Sequence, residues 1–190
     1  VALVNTEDAA LLRDPGGTIA SLLAWQDAAS GQVYRPISFA DGVQAKIIAV
    51  IDGDTIDVEV KGKKEHVRLL GIDTPETVHP WKPLEKFGEE ARETLKALLK
   101  DRVVNLHFES TTRDKYGRIL AYVILDDGLN VNGELVRRGL ARAYLRYPFG
   151  LAQLFASYEE EARRNKWGLW ADEKTAEFVS RDDVALPEAI

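Results

Sequence analysis

Three acidic residues lie in turns beside short apolar segments, where their carboxylates could bind a metal ion. Asp54 follows the turn Asp52-Gly53, and Asp73 and Glu76 both fall within residues 71–77. A hard divalent cation takes oxygen ligands, so carboxylates on neighbouring turns are suitable donors. Each fragment alone has a simpler interpretation, because Asp-Gly is a common hairpin signal and Asp-Thr-Pro-Glu can end a strand. One hairpin separates Asp54 from Asp73, so the two can converge.

Two arginines accompany these acidic residues. Arg68 lies between the two acidic turns, and the residues on either side of it are apolar. A strand this apolar is expected to be buried, so Arg68 needs an anionic partner, either a carboxylate or a bound phosphate. Arg118 ends the run 114–118. Two guanidinium groups facing a carboxylate-held cation would bind a phosphodiester, while a structural salt bridge explains Arg68 equally well.

The elements that must position these residues follow from the spacing of apolar side chains. Alternation predicts five short strands, at about 47–51, 56–60, 67–72, 104–108 and 121–125. Helical spacing predicts helices at about 84–99, 130–138 and 151–166. Five short strands with a helix between the third and the fourth are the arrangement of an OB-type barrel. We therefore expect a mainly β, α+β fold: a five-stranded Greek-key OB-fold barrel with three helices.

Composition divides the chain into an extension at 1–44, a main domain at 45–173 and a tail at 174–190. Thr6 and Thr18 could each cap a short helix in the extension, which we expect to pack on the main domain. Residues 1–44 carry two basic and five acidic side chains and residues 174–190 two and four, so the net charge of −6 leaves −1 for the main domain. Basic residues of that domain cluster at 61–68 and 137–146, and a solvated face of mixed charge explains either cluster alone.

Composition also excludes several classes of protein. With no cysteine among 190 residues, a disulfide framework, a thiolate zinc site and cysteine catalysis are ruled out. The 45% of hydrophobic residues suffices for a buried core. No apolar run approaches the roughly 18 residues of a membrane-spanning helix, so we expect no membrane span. The chain opens at Val1 without an initiator and contains no cysteine, which fits an exported protein and leaves the compartment open.

Four runs, taken together and in this order, resemble the staphylococcal nuclease (thermonuclease) family. They are DGDT at 52–55, VRLLGIDTPET at 67–77, DKYGR at 114–118 and LVRRGLA at 135–141, the last followed by an aromatic run. The resemblance spans about residues 45–173. It implies an OB-fold barrel with three helices, in agreement with the pattern of strands and helices.

The resemblance also implies roles for individual residues. Asp54 and Asp73 match side-chain ligands of one Ca²⁺, and Thr74 matches a ligand that adds its backbone carbonyl. Glu76 matches the carboxylate proposed as general base for the attacking water. The arginines that bind phosphate and stabilise the five-coordinate transition state are matched by Arg68 and Arg118.

The substrate groove matches the family less closely. Lys115 and Tyr116 match positions that contact the nucleotide, and Lys82 falls in the lysine-bearing loop. Tyr147 matches a tyrosine that packs on the nucleotide, whereas Tyr144 is displaced by one residue from the other. Ordinary core packing explains both tyrosines equally well.

The activity implied is that of a Ca²⁺-dependent endonuclease. Family members hydrolyse single-stranded or duplex DNA and RNA with little sequence specificity and leave 3′-phosphates; we expect a monomer. The alternative is a nuclease-like scaffold or nucleic-acid-binding module, as degenerate copies of the domain are. Such copies usually lose acidic or arginine positions, and here all are filled.

Overall fold

A computed structural model of the protein describes residues 42–75 and 85–171, together with the backbone of three short strands nearer the N-terminus. Those strands are β1 (Ala2–Thr6), β2 (Ala9–Arg13) and β3 (Ile19–Leu22), which form an antiparallel sheet in the order β1-β2-β3.

The helices expected after Thr6 and Thr18 are therefore wrong where the chain is described, since strands β2 and β3 stand there. That expectation used capping signals alone. A segment of five residues forms few hydrogen bonds as an isolated helix, whereas pairing with a neighbouring strand satisfies its backbone groups along the whole length. The expected packing of this extension on the main domain, residues 23–41 and the tail from 172 onward lie outside the described residues, and the domain boundaries stay a prediction.

Five strands close into the expected barrel. They are β4 (Val43–Asp52), β5 (Thr55–Val60), β6 (Lys63–Leu69), β8 (Val103–His107) and β9 (Ile119–Leu125). The order around the barrel is β4-β5-β6-β9-β8, and β6 and β9 run parallel while the other pairs are antiparallel. This is the Greek-key order of an OB fold.

The long strand β4 closes the barrel by pairing on both sides. Its first residues pair with β8 and its later ones with β5, and two register shifts lie in the second part. Such bulges bend a strand and increase its twist, which lets β4 pair with both β8 and β5. The bend carries the end of β4 to the Asp52-Gly53 turn that precedes Asp54.

Alternate residues of the strands fill the barrel. Ile56 and Val58 of β5 and Val67 of β6 are fully buried, as the two-residue period of a strand requires. Helix α1 (Glu85–Leu99) lies between the third and the fourth barrel strands in sequence and buries Ala91 and Leu95. The core therefore sits inside the barrel and under α1.

Two further helices follow the barrel strands. Helix α2 (Val131–Arg137) starts at Asn130, whose side chain accepts a hydrogen bond from the Gly133 backbone N–H, and α3 spans Ala152–Arg164. A short 3₁₀ helix, Gly168–Trp170, closes the domain. None of the helices in the ranges 42–75 and 85–171 has the length and hydrophobicity of a membrane span.

A small second ladder, which the sequence did not predict, joins the two halves of the domain. Strand β7 (Ile72–Asp73) pairs with β10 (Arg142–Ala143), with Arg142 opposite Asp73. Gly71, which precedes β7, has a φ of 76°, and a Cβ there would lie 2.6 Å from the Phe149 ring. The third expected strand thus ends at Leu69, and the chain turns sharply before reaching Asp73.

A fully buried asparagine, Asn132, holds the turn at residues 70–71 in place through hydrogen bonds. The Asn132 side-chain amide donates to the backbone carbonyls of Leu70 (2.9 Å) and Ala121 (3.1 Å), and its oxygen accepts from the Val123 N–H (3.0 Å). These bonds join α2 to β9 and to the residue after β6. Each polar atom of the amide is satisfied, which is what burial demands.

Candidate active site

The turns at one edge of the barrel bring Asp54 and Asp73 to the same place. Asp54 follows the β4–β5 turn, and its backbone carbonyl accepts the Leu69 N–H at 2.8 Å. This bond ties the first acidic turn to the end of β6. Strand β7 then carries Asp73 and leads into Thr74. We call Asp54 and Asp73 the acidic pair.

Asp54 is locked in one orientation by its neighbours. Only 6% of the residue is exposed. Its Oδ2 accepts both the backbone N–H (3.1 Å) and the hydroxyl (3.0 Å) of Thr74, and its Oδ1 accepts the Thr55 hydroxyl at 2.9 Å. Burial raises the pKa of Asp54 above its ordinary value, and the charge of Arg68 opposes this rise only in part.

Glycine is required next to Asp54 because the chain passes close to other atoms. A Cβ on Gly53 would lie 2.8 Å from the Thr74 Oγ1 and 2.9 Å from the Ala91 Cβ. Both contacts are shorter than real Cβ atoms tolerate. The close approach lets the Thr74 hydroxyl reach Asp54.

Arg68 lies between the two carboxylates of the acidic pair. Its Nη1 is 2.9 Å from the Asp54 Oδ2, and its Nη2 donates to the Asp73 Oδ1 at 3.0 Å. The Nη1 group also donates to the Ile72 backbone carbonyl at 2.9 Å. Only 16% of the Arg68 side chain is exposed, so its charge requires an anionic partner, as expected from the apolar residues on either side of it. In the structure that partner is a pair of carboxylates.

A second guanidinium, not singled out from the sequence, reaches Asp73 from the other side. The Arg142 Nη2 donates to the Asp73 Oδ2 at 2.7 Å. The sequence signal was the basic cluster 137–146, but its members separate: Arg137 and Arg138 both bind Glu134. Only the β7–β10 ladder shows which arginine of the cluster belongs to the site.

Arg118 lies on a closed loop, 114–118, at the start of β9. Its Nε donates to the Asp114 Oδ2 at 2.7 Å, and its backbone N–H donates to the Oδ1 at 3.0 Å. Burial alone would raise the pKa of Asp114, but the hydrogen bonds from Arg118 and from the Tyr116 backbone, together with the charge of Arg118, outweigh it, so the pKa lies below its ordinary value. Among the residues that the structure describes, no hydrogen bond or ion pair joins Arg118 to Arg68 or to the acidic pair.

The strand register nevertheless places Arg118 close to Arg68. Strands β6 and β9 are parallel, with Val67 opposite Ile119 and Arg68 opposite Leu120. Arg118 directly precedes β9, and the start of that strand lies beside the end of β6. Both arginines border the same edge of the barrel.

The aromatic residues expected at the substrate groove are on the surface. Tyr116 is 72% exposed, with the Lys115 Nζ 5.0 Å and the Arg118 Cζ 5.5 Å from its ring centroid. Tyr147 is 62% exposed and its ring centroid is 6.0 Å from that of Tyr144. Core packing therefore does not explain Tyr147, and Tyr144 is half-buried beside it.

Comparison with known proteins identifies the family of this chain. The family model for staphylococcal nuclease homologues matches residues 66–172. A thermonuclease of Staphylococcus hyicus is 37% identical over 137 residues, which are 72% of this chain and 80% of that protein. The chain belongs to the staphylococcal nuclease family.

Two other relatives have comparable identity to this chain. A thermonuclease of Staphylococcus intermedius is 41% identical over 122 residues, 64% of this chain and 72% of that protein. Endonuclease YncB of Bacillus subtilis is 41% identical over 132 residues, 68% of this chain and 62% of that protein. Family membership makes the chain an enzyme of the nuclease class, which hydrolyses phosphodiester bonds.

Enzymes of the staphylococcal nuclease family generally depend on a metal ion, and the donors at this site fit one. The groups brought together are oxygens: the two carboxylates of the acidic pair and the hydroxyl of Thr74. Such donors suit a hard cation such as Ca²⁺ or Mg²⁺. Among the described residues no three His, Asp or Glu side chains form one cluster; Glu76 and Lys82 lie outside the described residues.

Proposed function

We propose that this chain is a Ca²⁺-dependent endonuclease that hydrolyses single-stranded or duplex DNA and RNA with little sequence specificity and leaves 3′-phosphates. The observation that supports this most is the acidic pair with Arg68 between its carboxylates, at a barrel edge that Arg118 also borders. A binding module would have no need to hold two acids and a guanidinium in one cluster.

The cation would be held by the carboxylates of the acidic pair and by the Thr74 carbonyl. Asp54 is preorganised for this role, because Thr74 and Thr55 fix its orientation. When bound, the cation would supply positive charge to the phosphate oxygens.

Arg68 would exchange one anion for another during substrate binding. Its two Nη groups now serve carboxylates, and a guanidinium binds phosphate with the same forked geometry. A cation at the acidic pair would satisfy the charge that Arg68 now satisfies. Arg68 would then be released toward the phosphodiester.

Arg118 would be the second phosphate-binding arginine. Its bond to Asp114 uses Nε, and 34% of its side chain is exposed. Asp114 thus orients the guanidinium through Nε, and the two Nη groups of this partly exposed side chain would bind the phosphate. Donors fixed before the reaction are the ones that best stabilise developing charge.

The chemistry would proceed by attack of water on phosphorus. Glu76 would act as general base and accept the proton of the water as its oxygen bonds to phosphorus. The bond from phosphorus to the 5′-oxygen breaks, and that oxygen takes a proton from solvent. Arg68 and Arg118 would stabilise the charge on the equatorial oxygens, and the phosphate remains on the 3′ side.

Lys115, Tyr116 and Tyr147, with Lys82, would hold the nucleic acid. Exposed rings stack on any base, because every base has a π-face, so such contacts carry little sequence preference. Tyr116 and Tyr147 meet this requirement, since most of each ring is in solvent.

The test is cleavage of end-labelled single-stranded DNA and RNA with CaCl₂, with MgCl₂ and with EDTA. We expect cleavage with CaCl₂, none with EDTA, and products that lose a 3′-phosphate on phosphatase treatment. A mock preparation from cells that do not express the protein, purified identically, controls for contaminating nucleases. Undiminished cleavage in EDTA would refute the metal requirement, and 3′-hydroxyl products would refute the direction of attack.

No cleavage of either nucleic acid under any metal would instead favour the binding module. We also propose that the enzyme is a monomer, which light scattering coupled to size-exclusion chromatography measures directly.

A further inference from the structure

The carboxylate of Asp73 is held from two sides by two different arginines. Arg68 donates to its Oδ1 at 3.0 Å and Arg142 to its Oδ2 at 2.7 Å. The two arginines come from distant parts of the chain, since Arg142 lies 69 residues after Asp73. A carboxylate held at both oxygens cannot rotate without breaking a charged hydrogen bond.

Arg142 is itself fixed by the backbone on both sides of it. It lies opposite Asp73 in the β7–β10 ladder, and the next residues are tied by the Tyr144 N–H to the Gly71 carbonyl (2.9 Å). The Ala143 N–H donates to the Glu159 Oε2 of α3 at 2.7 Å. Strand β10 is thus held between β7 and α3, so Arg142 has a rigid base.

Glu159 is in turn held by α3. Arg163 donates to its Oε1 from Nε at 3.0 Å and from Nη2 at 2.6 Å. One carboxylate oxygen therefore binds a helix side chain and the other binds β10. Through these contacts the two-residue strand β10, and with it Arg142, is anchored to helix α3.

The two arginines bound to Asp73 differ in how substrate binding would affect them. Arg68 also reaches Asp54 and the Ile72 carbonyl, and under the proposed function it turns toward phosphate. Its departure would leave the Asp73 Oδ1 without that partner. Arg142 is attached to a strand that this exchange does not involve.

We propose that Arg142 is a positioning residue, which orients Asp73 for the cation and keeps it oriented when Arg68 turns to the phosphodiester. This inference rests on the proposed function. Outer partners of a metal ligand commonly fix the orientation of that ligand, and their loss weakens metal binding. The positive charge of Arg142 also repels a cation, so the sign of the change in Ca²⁺ affinity on removing Arg142 shows whether orientation of Asp73 or this repulsion dominates.

The experiment compares Ca²⁺ binding by the full chain and by three variants, using calorimetric titration with CaCl₂ alone and no nucleic acid. Arg142→Met removes the charge and the donors at similar length. Arg142→Lys keeps the charge and a donor. Arg102→Met is the matched control, because Arg102 pairs with Asp126 and Asp127 outside the site.

We expect Arg142→Met to weaken Ca²⁺ binding by roughly 10- to 100-fold, Arg142→Lys to recover most of that loss, and Arg102→Met to bind as the wild type does. The CaCl₂ concentration for half-maximal cleavage should rise by the same factor as the Kd. Melting temperatures measured in EDTA show whether each variant is folded; if Arg142→Met is not, Arg142→Gln, which also removes the charge, takes its place in the comparison.

Unchanged or tighter Ca²⁺ binding by folded Arg142→Met would overturn the inference while leaving the nuclease proposal intact. Conversely, a wild type that cleaves nothing but loses Ca²⁺ affinity on Arg142→Met would support the positioning role and refute the proposed activity. A wild type that binds no Ca²⁺ would overturn the inference together with the calcium requirement, and cleavage with another metal would show that the nuclease activity survives.

Discussion

The acidic pair and the exposed tyrosines lie in one candidate site but differ in how their positions are maintained. Arg68 forms ion pairs with both Asp54 and Asp73, and the side chains of Arg68 and Asp54 are largely removed from solvent. Tyr116 and Tyr147 project into solvent, and their rings make cation–ring and ring–ring contacts. Substitutions in the first region should therefore change stability and function together, and substitutions in the second should change function alone.

Removing Arg68 should have the largest combined effect. In Arg68→Met the buried carboxylate of Asp54 loses its paired positive charge, whereas Asp73 keeps Arg142; leaving a buried charge unpaired costs roughly 3–5 kcal/mol of unfolding free energy. Because CaCl₂ supplies the missing charge, it should raise the melting temperature of Arg68→Met more than that of the wild type. Calorimetry with CaCl₂ and with EDTA measures both effects. Equal shifts in the two proteins would show that Arg68 and the cation do not share the acidic pair.

Arg118 should affect catalysis without affecting folding. Loss of one donor to a transition-state oxygen costs roughly 10²- to 10³-fold in kcat. The kcat of Arg118→Ala should therefore fall by that factor, while its melting temperature stays almost unchanged. The matched control is Arg138→Ala, since Arg138 binds Glu134 at the same four-residue spacing. Nearly full activity in folded Arg118→Ala would remove Arg118 from the mechanism.

The tyrosines should affect substrate affinity only. Stacking on a base is worth about 1–3 kcal/mol per ring, so Tyr116→Ala and Tyr147→Ala should each raise KM for single-stranded DNA and leave kcat and the melting temperature unchanged. A fall in melting temperature comparable with that of Arg68→Met would mean that the ring is part of the core. An unchanged KM would mean that the base stacks elsewhere.

A buried acid outside the site should show the smallest effect, on stability and in a defined pH range. Burial alone would raise the pKa of Asp57, but hydrogen bonds from Lys64 and His66 outweigh it and the net pKa is lowered. A lowered pKa adds stability above the unfolded-state value of about 3.9, and that stability is lost as the pH falls through the folded-state value. Asp57→Asn should therefore lose about 1 kcal/mol at pH 7. Denaturant titrations should show this difference vanish in strong acid; a constant difference would assign it to packing.

The barrel was predictable because the signals for its elements are local. Alternating apolar residues mark strands, and helical spacing marks α1, α2 and α3 at nearly the observed bounds. The N-terminal strands were missed because capping residues favour a helix start but do not show whether a partner strand is available. The three strands at 2–6, 9–13 and 19–22 pair with one another, and the backbone hydrogen bonds formed in this pairing outweigh the two capping signals.

By itself, the sequence determined the family, the order of the barrel strands and the presence of Asp54, Asp73, Arg68 and Arg118, because residue types and local periodicity carry that information. Tertiary structure alone decided their partners. Arg68 could have bound a phosphate or a carboxylate, and only the meeting of two turns places it between Asp54 and Asp73. Arg142 reaches Asp73, and Asn132 reaches Leu70, across more than 60 residues of chain. No local pattern encodes such contacts, since they depend on how whole elements pack against one another.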